Sequence, residues 1–205
     1  MNSANLQLSA EEMRLVSDPG WILTKNSVMG KAVGLMGELS GGYRGIWGDT
    51  GGTPGGDPKV SRGENYRGLP WVMLDYPRVF GRADVLAIRT FFLWGHGFSV
   101  TLHLKGVYQE LYLPVIRSRR GELAAAGFHV GVSDDEWRHE HTAEVFRPLG
   151  GDGDFGDGEF GGSDASFGDG PFFKLSAAVG LDRWGEAPDL LMGLFGTLVG
   201  VLREA

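Results

Sequence analysis

Four side chains carry the most readable chemistry in this chain: Asp75, Arg78, Arg89 and His103. In "PWVMLDYPRVF" an apolar run ends on Asp75, and in an extended strand Asp75 shares a face with Trp71 and Met73. A carboxylate in that position needs a partner, because burying it alone costs several kcal/mol. Arg78 just past the turn, Arg89 in the next segment and Arg67 before the strand are the candidates. One reading makes the pair a lock that fixes a corner of the fold. The other makes it a general base or ligand clamp beside Tyr66 and Tyr76. His103 sits on the polar side of "FSVTLHL" with Ser99 and Thr101, a face that suits either a cleft or a solvated surface.

His139 and His141 in "WRHEH", with His129 and Glu136 nearby, contain the residue types of a histidine–carboxylate metal site. The pattern lacks HExxH and a helical i, i+4 histidine pair, so a histidine cluster at a helix end is the alternative, and no metal or cofactor is expected. "GFSVT" lacks the final glycine of a nucleophile elbow and lies in a strand, which argues against serine catalysis. There is no phosphate-binding GxxxxGK[ST], and no glycine cluster stands between a strand and a helix as a dinucleotide site requires. Without cysteine, thiol nucleophiles, thiolate metal sites and disulfides are excluded.

The net charge of −7 is unevenly placed. Gly150 to Gly170 holds six acids and no base, leaving 20 of the 26 acids against 19 bases in the remainder. That nearly neutral body offers no general field for phosphate backbones, and the only dense basic run is Arg117, Arg119, Arg120. Nucleic acid is therefore an unexpected partner. The N-terminus has no basic and apolar leader, and no apolar run reaches the roughly 18 residues that span a bilayer, so a cytoplasmic protein is expected.

The elements that must position these residues follow from periodicity. The sequence predicts one α+β domain over 1–205, with an antiparallel sheet built on a central hairpin and covered by an N-terminal, a middle and a long C-terminal helix. Val28, Ala32, Leu35 and Leu39 predict a first helix after Asn26, stopped by Gly41-Gly42. "PWVMLDY" predicts a strand between Pro70 and Pro77, and "RADVLAIRTFFLWG" a second helix carrying Arg89. "FSVTLHL" and "VYQELYLPV" alternate around Lys105-Gly106 and predict the hairpin. Ser133 and Glu136 form a capping-box pattern with Val132 and Trp137 at staple positions, predicting a short helix from Asp134. "FHVGV" and "PFFKLSAAVGL" predict strands, and Pro188 opens the terminal helix. Glycine supplies 35 residues, concentrated in insertions at 47–63 and 150–170. "GGDGDFGDG" matches part of a calcium-binding β-roll repeat, with Phe155 where the repeat wants Asp, so a flexible acidic loop is the main reading.

At "GENYRGLPWVMLDYPRVF", "AIRTFFLWG" and "FSVTLHLKG" the sequence resembles an uncharacterised family of small hypothetical proteins from Bacteroidota-type bacteria, a group with no assigned activity. The resemblance covers the body and the terminal "APDLLMGLFGTLVGVL", and it implies no catalytic role for any residue. The residues themselves favour a binding module for a protein partner or small ligand, with Trp94, Tyr108, Tyr112 and Trp137 as exposed anchors. A metal-free enzyme with its pocket around Asp75, Arg78, Arg89 and His103 is the alternative. A subunit that self-associates through Gly196 and Gly200 of the terminal helix is the second.

Overall fold

The computed structural model describes residues 6–48, 55–150 and 167–205. The chain runs α1 (Ala10–Val16), α2 (Pro19–Gly48), β1 (Lys59–Tyr66), β2 (Leu69–Phe80), β3 (Val85–Leu93), β4 (Gly97–Lys105), α3 (Val107–Ser118) and α4 (Arg120–Ala125). It continues through β5 (His129–Gly131), β6 (Phe146–Pro148), β7 (Phe173–Val179), a 3₁₀ turn at Leu181–Glu186 and α5 (Ala187–Leu202). The seven strands make one antiparallel sheet in the order β1-β2-β3-β4-β7-β5-β6, which is an α+β architecture.

Helices cover one face only. Met29, Ala32, Leu35, Met36, Leu39, Tyr43 and Trp47 recur at helical spacing along α2 and are buried against the sheet. Tyr43 stacks on Phe195 of α5 with ring centroids 3.7 Å apart, and its hydroxyl bonds Thr90 Oγ1 at 2.9 Å. The stretch Leu181–Leu202 is long and apolar enough to cross a bilayer, with a mean hydropathy of 1.3. In this fold Leu191, Phe195, Leu198, Val199 and Leu202 instead fill the core between α2 and the strands.

Several predicted elements change identity. "RADVLAIRTFFLWG" holds a strand, β3, rather than a helix, and the central hairpin is β3–β4. β3 is buried on both faces, so its sequence is apolar on both sides of Arg89-Thr90 and lacks the alternation that would separate it from a helix. "VYQELYLPV" is the start of helix α3 rather than a strand, and it is the middle helix of the fold. Tyr112, Leu113 and Ile116 form its buried stripe, at spacings of one and three residues. The switch is made at Gly106, whose φ of +59° and close approach to Asp84 exclude a side chain. Asp84 Oδ1 then accepts the Val107 N–H at 2.9 Å and caps α3.

Helix α2 begins at Pro19, eight residues before the predicted start, and continues through Gly41-Gly42. Strand β2 passes through both prolines that were expected to bound it, its register shifting between Asp75 and Arg78 where Pro77 sits. Lys59–Gly63, read from sequence as part of a glycine-rich insertion, belongs to β1. No helix forms at Asp134. Ser133 Oγ accepts the Asp135 N–H at 3.2 Å, Asp135 Oδ1 accepts the Trp137 N–H at 2.9 Å, and Glu136 turns away to Lys105. The partial calcium repeat lies almost wholly within 151–166, outside the described residues.

Candidate functional site

The sheet face opposite the helices is polar at its centre. Asp75, Arg89, Thr101 and Ser176 stand in one row across β2, β3, β4 and β7. Ala87, His103 and Lys174 form the adjacent row. Residues 132–145, a segment without helix or strand, cross over these rows as a strap.

The strap is tied down almost entirely by polar contacts. Lys174 Nζ donates to the carbonyl oxygens of Arg138 and, at 3.1 Å, Glu136. Lys105 Nζ reaches Glu136 Oε2 at 2.9 Å. Tyr66 donates its hydroxyl proton to Glu140 Oε2 at 2.5 Å and accepts the His139 N–H at 2.7 Å. Arg67 and Arg138 close on the other Glu140 oxygen at 2.5 and 2.6 Å. Burial pushes Tyr66 up to about 12, reinforced by Glu140. Burial alone would raise Glu140, but the bonds from Tyr66, Arg138 and Arg67 reverse this and hold it down at about 2. The proton therefore stays on the phenol.

Asp75 finds its partner directly across the ladder. Arg89 Nε meets Oδ1 at 2.7 Å and Nη2 meets Oδ2 at 3.2 Å, a two-pronged pair whose side chains are 10–11% exposed. Arg89 also donates from Nη1 to His139 Nε2 and lies over the Phe80 ring. Accepting that bond leaves the proton of the neutral His139 ring on Nδ1, which faces Lys174 Nζ at 3.5 Å. Burial, with Arg89 and Lys174 beside it, holds His139 well below the usual histidine range.

His103 has the site's open valence. Only 4% exposed, it leaves Nε2 without a hydrogen-bond partner among the described residues. Burial, then Lys174, Arg89 and Lys105, push its pKa down to about 3, so the ring is neutral. Trp137 and Phe172 stand edge-on over it, each 5.9 Å between centroids. Trp137 is 52% exposed and also meets Phe80, itself 42% exposed, at 6.5 Å.

Asp75, Arg89 and His103 thus share one face, as the sequence suggested, although Arg89 arrives from a strand rather than a helix. Arg78 pairs with Ala87 in the register, in line with His103, but its Nε donates to the Asp57 carbonyl at 2.7 Å and not to Asp75. Of the expected aromatic anchors only Trp137 is exposed. Tyr112 is buried, and Trp94 and Tyr108 pack as partly buried flanks of the core, because α3 is a helix and turns Tyr112 inward. The histidines divide between two places. His139 is held by Arg89 and Lys174, while His129 and His141 meet ring to ring 4.8 Å apart and His141 stacks on Phe146. Among the described residues no three His, Cys, Asp or Glu side chains gather as a ligand set.

Sequence reasoning missed Lys174 and Glu140. Lys174 had a signal, being the lone charge in "PFFKLSAAV". Glu140 had none, because its partners Tyr66 and Arg67 stand 74 and 73 residues away. No protein-family model, curated protein or solved structure matches the chain.

Proposed function

We propose that this protein is a binding module that takes up a small molecule on the His103 face of the sheet, beneath Trp137. The observation that carries the reading is the unpaired, buried Nε2 of His103. Leaving a buried polar group unsatisfied costs about 1–3 kcal/mol, and such exceptions call for a missing partner. Above it, Trp137 and Phe80 give an amphipathic, partly exposed rim of the kind that anchors ligands. Asp75 and Arg89 already satisfy one another, so their place in this reading is to hold the floor rigid, not to carry out catalysis. Trp137 belongs to the irregular strap and is the wall that moves to admit the ligand.

A fragment titration followed by nuclear magnetic resonance tests this. Bound fragments should shift the Trp137 indole and His103 ring signals together, and Trp137→Ala should abolish the response. Fragments that bind only elsewhere, leaving both signals unmoved, would refute it.

A second reading, protein docking, rests on a different observation. Helix α1 buries none of its residues, and Met13, Val16, Trp21, Ile22 and Leu23 crowd the exposed N-terminal end of α1 and α2. On α5, Gly193, Gly196 and Gly200 meet nothing among the described residues where a side chain would project, a face suited to self-association. A strict monomer by light scattering at micromolar concentration would remove the self-association form of this reading.

A further inference from the structure

We propose that the ligand is a small carboxylate with a flat apolar body, the carboxylate seated on Lys174 and His103 and the body held between Trp137, Phe80 and Phe172. The proposal rests on the binding reading above and adds the ligand's chemical class. Lys174 is 3% exposed and meets no carboxylate within ion-pair distance among the described residues. Its bonds go to two backbone carbonyls, and its third direction faces a histidine N–H that cannot accept.

A buried ammonium without an anion is rare because its desolvation is uncompensated. His103, opposite Lys174 in the β4–β7 register, offers an unused ring nitrogen that donates in its Nε2–H tautomer. Two donors side by side with no acceptor describe an anion site. The charged groups acting on His103 are Lys174, Arg89 and Lys105, all cationic.

Of the acids of the neighbourhood, Asp75 pairs with Arg89, Glu136 with Lys105, and Glu140 with Arg67 and Arg138, while Asp135 acts on Lys174 from beyond ion-pair distance and accepts the Trp137 N–H. The body of the ligand is set by the walls. Ala87 is the small neighbour of His103 on β3 and stands between the imidazole and Arg78 in the strand register. Three aromatic rings stand around the same place. Flat apolar groups suit such walls, whereas a bare inorganic anion would leave them unused.

The test compares benzoate, benzamide and inorganic phosphate on the full chain, followed at the His103 ring and Trp137 indole. Benzoate should bind about tenfold or more tightly than benzamide, the worth of one charge-assisted hydrogen bond, and more tightly than phosphate. Lys174→Met should abolish the preference for benzoate over benzamide. Equal binding of benzamide would overturn the carboxylate assignment while leaving the aromatic-walled site standing. Phosphate binding as tight as benzoate would overturn the apolar body. No response to any of the three would overturn both this inference and the binding reading.

Should Lys174→Met fail to fold, the pH dependence of the native protein decides. Burial, with Arg89 beside it, lowers Lys174 to about 8 against the opposing pull of Asp135, Glu140 and Glu136. His103 and His139 stay neutral throughout this range. Benzoate affinity should therefore fall severalfold from pH 8 to pH 9, and a flat profile would overturn the role of Lys174.

Discussion

Removing one charge of the Asp75–Arg89 pair should cost more stability than removing both. The two carboxylate oxygens receive Arg89 at 2.7 and 3.2 Å, and each side chain is about nine-tenths buried. Asp75→Asn leaves the guanidinium buried without its counter-ion, which costs about 3–5 kcal/mol. Arg89 also donates to His139 Nε2, so the strap loses its anchor if the guanidinium turns toward water. At about 2–4 °C per kcal/mol for a chain of this size, the melting temperature should fall by roughly 6–20 °C. Asp75→Leu with Arg89→Met removes both charges and keeps much of the volume, and should recover part of that loss, the remainder being about 1–3 kcal/mol for His139 Nε2 left without its donor. Urea denaturation of wild type, both single variants and the double variant gives the coupling directly. Single variants within about 1 kcal/mol of wild type, or a double variant as unstable as the sum of the singles, would refute the argument.

Acid should unfold this protein earlier than its carboxylates require. His103 stays neutral in the fold down to about pH 3, while the unfolded chain binds its proton near pH 6.5. Stability from this group is thus complete above pH 6.5 and falls below it by at most about 1.4 kcal/mol per pH unit. His103→Gln should flatten that slope between pH 6.5 and 4, and parallel denaturation profiles would count against it. Tyr66→Phe removes the charge-assisted bond to Glu140 Oε2 and leaves that oxygen and the His139 N–H only their own 3.2 Å contact, and should cost about 1–3 kcal/mol by thermal melting with no change of fold. Gly106→Ala should destabilise by more than 1 kcal/mol, since its φ is +59° and the new Cβ would fall 2.2 Å from Asp84 Oδ1, a loss readable by urea denaturation.

The parts of the fold legible in the sequence are those buried on one side. Helix α5 carries a pattern that matches its surroundings, and α2 was visible by its stripe even though its ends were misjudged. Strand β4 was legible for another reason. Its Ser99, Thr101 and His103 are polar yet buried, because the strap covers them, so the alternation marked a strand while misreporting which face was dry. Strand β3 has apolar or engaged side chains on both faces and lost the alternation that would have identified it. Helix α3 imitates a strand because Val107, Gln109, Leu111 and Leu113 alternate with Tyr108, Glu110 and Tyr112, although burial follows Tyr112, Leu113 and Ile116. At the site, the need of Asp75 for an arginine was plain from its apolar neighbours. Register then chose Arg89 over Arg78 and Arg67. The strap was not legible, since it is held by backbone carbonyls that any sequence offers to Lys174 and by Glu136, His139 and Glu140 meeting partners distant in sequence.

The central claim is that a small molecule completes His103 beneath Trp137. A crystal structure with the tightest-binding fragment tests it most directly. The account predicts a polar atom of the ligand within hydrogen-bond distance of His103 Nε2, with Trp137 displaced from its edge-on contact with that ring. Trp137 still packed on His103, with the fragment bound elsewhere, would contradict it.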